Sequence, residues 1–258
     1  MKVLASDFDG TLFFKGKFRE EDLKQIRTFQ AQGNLFGLCT GRPLAGITEA
    51  IRESVRCDFM ILSSGAQILD GEGRTLYKAC IDLETTAQLV CRFSSELDFY
   101  YQTEEGTYCQ RRPDGQIPES ASILTAIPYH SFIRLDELPA DIYGLSLYAE
   151  ADAHARNVTA WINTQFPTLA AFQNEKWVDV VQRGCSKGKG IELLKQQLSF
   201  KTIAGIGDSY NDIPLLRMTS PSFTFHSSPD AVKQEAQFLV DSLAEAIAVM
   251  MRMPEEKR

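Results

Sequence analysis

The chain has 258 residues, 44% hydrophobic and 24% charged, enough for one large domain or two ordinary ones with a substantial core. A formal net charge of −7 offers no basic stripe to neutralise phosphates, which argues against nucleic-acid binding, and no apolar run is long enough to span a membrane. Cys39, Cys57, Cys80, Cys91, Cys109 and Cys185 form no CxxC and no zinc-like spacing, and no signal-peptide-like apolar region opens the chain, so isolated thiols in a cytoplasmic protein are expected.

Val3-Leu4-Ala5 reads as a short buried strand that runs into the acidic loop Asp7-Phe8-Asp9-Gly10-Thr11-Leu12. Leu23, Ile26 and Phe29 recur at helical spacing, with Gly33 just past the helix end. Leu35 to Cys39 is the next strand. Pro43, favoured at a first helical position, opens a predicted helix with Leu44, Ile47, Ile51 and Val55 on one face. Phe59 to Leu62 is the third strand. This alternation predicts an α/β architecture with a parallel sheet.

The character then changes. Gln67 to Tyr77 reads as a hairpin around a glycine-containing turn, and Leu83 to Leu97 as a helix. Strands are expected at Phe99 to Gln102, Thr107 to Gln110 and Gly144 to Tyr148, with a Pro-, Ser- and Gly-bearing stretch over 112–128. A helix near Ala153 to Phe166 precedes an antiparallel pair, Leu169 to Gln173 and Trp177 to Val181. Beyond Gly184 the alternation returns: helix Gly188 to Leu198, strand Lys201 to Ile206, a helix after Asp212, strand Phe223 to Phe225, and helices over 229–235 and 242–251. A core of residues 1–81 and 184–258, interrupted by an α+β insertion over 82–183, accounts for this order.

Two acidic loops stand out. Asp7 to Leu12 follows the first strand, and Gly207-Asp208-Ser209-Tyr210-Asn211-Asp212 follows the strand ending at Ile206. Ligands of open parallel sheets gather at the carboxyl ends of strands. Four carboxylates brought there repel one another unless a cation sits among them, and hard oxygen ligands suit Mg²⁺. The plainer alternative is a pair of solvated, Asp-rich turns.

These loops, with Cys39-Thr40-Gly41-Arg42 and Ser186-Lys187-Gly188-Lys189-Gly190, resemble the four motifs of the haloacid-dehalogenase (HAD) superfamily of aspartate-nucleophile phosphohydrolases. The long insertion is similar to the Cof-type branch with a C2-type cap, subclass IIB. The resemblance implies a Rossmann-like core, an inserted cap, and a Mg²⁺-dependent phosphatase acting on small phosphorylated metabolites such as sugar phosphates. It implies Asp7 as nucleophile, forming an aspartyl-phosphate, Asp9 as general acid and base, and Lys187 as neutralising cation. Phosphate contacts fall on Phe8, Thr40, Gly41, Lys187 and Asn211. Metal contacts fall on Asp7, Asp9 (through its carbonyl), Asp208 and Asp212, the last acting through water or by pairing with Lys187.

Other readings of the same residues stand beside these. Arg42 could pair with a carboxylate instead of substrate, and Cys39 reads as a buried strand residue more readily than as a thiol nucleophile. Gly184 to Gly190 superficially suggests a P-loop, but Arg183 stands in place of its first glycine and Gly190 in place of Ser/Thr. The branch's usual Asn-Gly-Ala is Ser64-Gly65-Ala66 here, and its usual Gly-Asn-Ala is His226-Ser227-Ser228. A phosphomutase, or a non-catalytic phosphate-binding protein on the same fold, are the competing functions.

Overall fold

The continuous apolar runs become inner strands. In the computed structural model, which describes residues 1–14, 16–111, 129–131, 137–139, 141–198, 200 and 202–254, the first unit comprises Met1–Thr40, Ala50–Tyr77 and Ser186–Arg258, and the second Gly41–Glu49 and Lys78–Cys185.

In chain order the elements up to residue 78 are β1 (Val3–Ser6), β2 (Phe13–Phe14), β3 (Lys17–Phe18), α1 (Glu20–Ala31), β4 (Leu35–Cys39), α2 (Thr48–Ile51), β5 (Phe59–Leu62), β6 (Gln67–Asp70) and β7 (Thr75–Lys78). The second unit continues with α3 (Leu83–Phe93), β8 (Asp98–Thr103), β9 (Thr107–Gln110), β10 (Tyr129–Ser131), β11 (Ile142–Tyr148), α4 (Asp152–Gln165), β12 (Leu169–Asn174) and β13 (Trp177–Gln182). The chain closes with α5 (Lys187–Leu198), β14 (Ala204–Ile206), α6 (Ile213–Met218), β15 (Ser222–Phe225), α7 (Asp230–Lys233), β16 (Phe238–Val240) and α8 (Leu243–Arg252).

The main sheet has eight strands in the order β16-β15-β14-β1-β4-β5-β6-β7. Pairing is parallel from β16 through β5, and β6 runs back antiparallel to β5. Every residue of β1 and β14 is buried, as expected for strands covered on both faces. Strand order reverses between β1 and β14: β4 and β5 extend the sheet to one side, β15 and β16 to the other. Such a switch point opens a crevice at the carboxyl ends of the strands. Ser6 is in register with Ile206, and the Asp7 N–H continues the pairing to the Ile206 carbonyl at 2.9 Å. Both acidic loops therefore leave the sheet side by side.

The second unit is built on a six-stranded sheet, β10-β9-β8-β11-β13-β12, antiparallel at the pairings within β9 to β12. Alternation sorts its faces. Phe99, Tyr101, Leu145, Leu147, Val178 and Val180 pack with Leu89, Val90 and Phe93 of α3 and Ala155, Val158 and Ile162 of α4. The opposite set of side chains includes Tyr100, Cys109 and Tyr148 with Trp177, and the ladder from Gln102 Nε2 to Ser146 Oγ (2.9 Å) and on to Asp179 Oδ1 (2.7 Å).

Three local differences from the sequence reading have physical causes. The single helix expected from Pro43 is instead a 3₁₀ turn, Leu44–Gly46, followed by the short α2. Gly46 lowers helix propensity there, and the Arg42 guanidinium takes its carbonyl at 2.9 Å. The segment after Leu12 contains the β2–β3 hairpin, whose Phe13 stacks on Phe8 with ring centroids 5.0 Å apart. Strand β16, too short to carry a periodic signal, forms one sheet edge. The stretch 112–128 lies outside the described residues. No helix among those described is long and apolar enough to cross a membrane.

The C-terminal helix is tied back to Lys2, ahead of β1, and to α1. Lys2 Nζ donates to the Met250 carbonyl and, at 2.7 Å, to that of Met253, satisfying acceptors at the end of α8. At its other end, Ser242 Oγ accepts from the Glu245 N–H at 3.1 Å and Asp22 Oδ1 from the Ala244 N–H at 2.7 Å. Asp22 is 1% exposed, and its Oδ2 has no hydrogen-bond partner. Burial holds this carboxyl above the usual range, so its charged form costs stability above the ordinary carboxylate pKa and that cost fades as pH falls. Asp22→Asn keeps the acceptor and removes the charge. Urea unfolding at pH 7 is expected to give equal or higher stability for Asp22→Asn, and a loss of about 1 kcal/mol for the uncapped Asp22→Ala.

Candidate active site

Lys187, on the first turn of α5, lies at the centre of the acidic crevice. Its ammonium donates to Asp7 Oδ1 at 2.6 Å and to Asp212 Oδ1 at 2.5 Å, with all three side chains at most 5% exposed. Asp208 accepts from the Thr11 hydroxyl at 2.8 Å, a tie between the two acidic loops. Asp212 Oδ2 accepts from the N–H groups of Asp208 and Ser209, each at 3.0 Å. Asp212 thus commits one oxygen to Lys187 and the other to its own loop. It therefore links Lys187 to the loop that carries Asp208.

Carboxylate oxygens of Asp7, Asp208 and Asp212 lie within 4.8 Å of one another. One ammonium faces three carboxylates, so negative charge is in excess. Burial, then Asp212, push the Asp7 carboxyl well above its usual range, against the pull of Lys187. Burial and Asp212 also raise Asp208, against the Thr11 hydrogen bond. Burial alone would lower the Lys187 ammonium, but Asp212 and Asp7 hold it above the ordinary lysine value. An oxygen-only cluster with uncompensated negative charge fits a hard divalent cation such as Mg²⁺.

The remaining sequence-predicted residues fall around this centre. Phe8 is fully buried in the aromatic cluster with Phe13 and Phe18, so any phosphate contact from it is confined to its backbone. The Asp9 carboxylate is not part of the 4.8 Å group, and Asp9 bridges to Phe13 through backbone pairing. Thr40, at the carboxyl end of β4, is 1% exposed. Gly41 follows it directly and opens the Gly41–Glu49 segment of the second unit. Asn211 Oδ1 accepts from the Ser209 hydroxyl at 2.6 Å. Burial pushes the Cys39 thiol far up, which removes it as a thiolate nucleophile. Lys189 is half-exposed and pairs with Glu192 at 2.9 Å.

The profile of the haloacid dehalogenase-like hydrolases matches residues 4–251, nearly the whole chain. The chain belongs to this family. Its relatives include an HMP-PP phosphatase of Yersinia pseudotuberculosis, 23% identical over 243 residues that cover 91% of this chain and 87% of the relative. Among solved structures, a haloacid dehalogenase-like hydrolase from B. subtilis superposes with a TM-score of 0.85 at 19% identity, covering 98% of this chain and all of that one. A HAD subclass IIB sugar phosphatase superposes with a TM-score of 0.77 at 20% identity, covering 97% and 98%. The HAD fold expected from the motifs is thus present, and the family together with its phosphatase relatives supports the phosphatase reading of the sequence.

Several contacts that shape this HAD site go beyond the sequence reading, in which the Gly10-Thr11 turn serves only to aim the Asp9 side chain at the leaving group. Thr11 belongs to the first motif, and its hydroxyl contact with Asp208 is legible only once the loops are adjacent. Gly10, at φ +80°, lies against the same carboxylate: a Cβ there would come within 2.5 Å of Asp208 Oδ2. The Ser63-Ser64-Gly65 turn, in which Ser64 stands where the branch usually has Asn, has three successive residues at positive φ (47°, 52° and 91°). The Ser64 N–H donates to the Thr40 carbonyl at 3.1 Å, so the strained turn supports the second motif. Asn tolerates this conformation better than Ser, which explains the usual residue without removing the turn.

Proposed function

We propose that this HAD-family protein is a cytoplasmic, Mg²⁺-dependent phosphatase that hydrolyses small phosphorylated metabolites, sugar phosphates among them, through an aspartyl-phosphate. The observation that carries the reading is the buried Lys187 shared by Asp7 and Asp212 beside Asp208. An Asp7 oxygen attacks phosphorus as the ester P–O bond breaks, and Asp9 protonates the departing alkoxide. Asp9 then takes a proton from water, which attacks the aspartyl-phosphate and returns Asp7 and inorganic phosphate. Lys187 holds Asp7 in place and offsets the repulsion between two anions as they approach. Thr40, the Gly41 and Phe8 backbones and Asn211 orient the phosphoryl oxygens. Mg²⁺, held by Asp7 and Asp208 with the Asp9 carbonyl, would neutralise phosphoryl charge. The inserted second unit would select the leaving group.

A panel of phosphorylated metabolites assayed with Mg²⁺ tests this reading. Phosphate release is expected for sugar phosphates, complete loss in excess chelator, and a parallel fall in rate and Mg²⁺ response for Asp208→Ala. Full activity in chelator, or no turnover of any phosphomonoester, would refute it.

A further inference from the structure

Behind the Asp208 loop lies a chain of buried hydroxyls that the proposed chemistry does not use. Thr224, on β15, is fully buried, and Ser228 is 5% exposed. Thr224 Oγ donates to the Gly207 carbonyl at 2.7 Å and lies 2.9 Å from Ser228 Oγ, which accepts from the Phe225 N–H at 3.3 Å. A carbonyl can only accept, and a hydroxyl has one proton. The Thr224 proton is therefore committed to Gly207, and Ser228 supplies the proton between the two hydroxyls. The polarity runs one way, from the Phe225 amide through Ser228 and Thr224 to Gly207.

The peptide that receives it is gripped at both polar ends. Its carbonyl belongs to Gly207 and is held by Thr224. Its N–H belongs to Asp208 and is held by Asp212 Oδ2 at 3.0 Å. Gly207 has no room for a side chain, because a Cβ would fall on the Asp212 carboxyl group. Beyond this peptide, the Asp208 side chain is steered by Thr11. The peptide plane fixes where the Asp208 Cα–Cβ bond points, so a rotation there would displace the carboxylate.

We infer that Thr224, supported by Ser228, is a positioning residue that sets the direction of the Asp208 carboxylate, and so tunes divalent-cation affinity from behind the site. The inference rests on the reading that Asp208 holds the cation. Hydrogen-bonded groups one layer behind a metal ligand are worth about 10–100-fold in metal affinity or activity. A buried hydroxyl serving only stability would change the unfolding midpoint and leave the affinity of the folded protein alone.

The test is calorimetric titration of the full chain with Mg²⁺ alone, at a temperature where each variant is folded by circular dichroism. Thr224→Val, nearly isosteric, removes the hydroxyl and is expected to weaken Mg²⁺ binding roughly tenfold. Thr224→Ser restores the donor and should return affinity to within about twofold of the parent. Ser228→Ala leaves the Thr224 bond but removes its support, and is expected to weaken binding by a smaller factor, about threefold; it carries the test if Thr224→Val does not fold. Unchanged Mg²⁺ affinity in folded Thr224→Val, or in Ser228→Ala when that variant carries the test, overturns the inference while leaving the Asp208 site standing. A parent protein that binds no Mg²⁺ overturns the site itself.

Discussion

Asp7→Asn is expected to abolish turnover and, in chelator, to leave the protein at least as stable as the parent. The two halves of this expectation come from the same geometry. An amide oxygen is a poor nucleophile, and removing a covalent nucleophile costs on the order of 10⁶ in kcat in a well-characterised hydrolase. Yet Asp7 is a buried carboxylate whose charge is opposed by burial and by Asp212 and Asp208. Its folded pKa lies above the ordinary value, so ionisation near neutral pH works against folding, and that cost disappears as pH falls. Asn removes the charge, keeps an oxygen acceptor for the Lys187 ammonium now 2.6 Å away, and leaves Lys187 its second partner, Asp212. Urea unfolding in chelator should show the variant equal or more stable, and added Mg²⁺ should stabilise it less than the parent. Acid-quenched parent incubated with labelled substrate should carry phosphate on Asp7. Label on another side chain, or substantial turnover by the variant, would exclude Asp7 as the nucleophile.

Much of this site was legible because its chemistry is written in short contiguous motifs. Asp7 to Leu12 and Gly207 to Asp212 each pair an apolar strand with an acidic loop, and that pattern predicts two neighbouring strand ends. The prediction holds: Ser6 and Ile206 are in register. The inner strands also announced themselves, since strands buried on both faces are continuous apolar runs. What was not legible depends on contacts far apart in sequence or on backbone conformation. The tie from Thr11 to Asp208 spans 197 residues, and the Asp22 cap on α8 spans 222. The positive φ of Ser63 and Ser64 has no signal in residue type, because serine does not favour it. The helix expected from Pro43 failed for the opposite reason: its apolar spacing was right, but Gly46 and the Arg42 contact with its carbonyl favour a tighter turn. The same distinction separates the two functional layers. The residues proposed for phosphoryl transfer sit in motifs, whereas the sheet of the second unit has alternating side chains and carries no motif.

Lys187→Met is expected to damage stability as well as rate. Methionine matches the length and much of the volume of the lysine stem, so the packing around Gly188 and Gly190 need not change. What disappears is the ammonium between Asp7 Oδ1 and Asp212 Oδ1, all of it away from solvent. Removing one partner of a buried ion pair typically costs about 3–5 kcal/mol, because the other charge stays buried without compensation. Here two carboxylates lose their partner together, and Asp212 also anchors the Asp208 and Ser209 amides. The sign of the pH dependence follows. In the parent, the lysine pKa is raised by folding, so its contribution is fully present below the ordinary lysine value and is lost only as pH rises through the folded one. In the variant, Asp7, which burial and Asp212 already hold above its usual range, loses the one cation that opposes them, so the deficit should shrink as pH is lowered from 7 towards 5. Chelator in every sample keeps adventitious cations from substituting for the ammonium. For activity, loss of a preorganised charge at the reacting centre is expected to cost roughly 10²–10³ in kcat even where the variant is fully folded. Urea titrations at several pH values, with single-turnover assays on the folded fraction, separate the two effects. A variant as stable as the parent at pH 7 would mean that the ammonium offsets no buried charge in the native protein, and the charge balance assigned to this site would have to be redrawn.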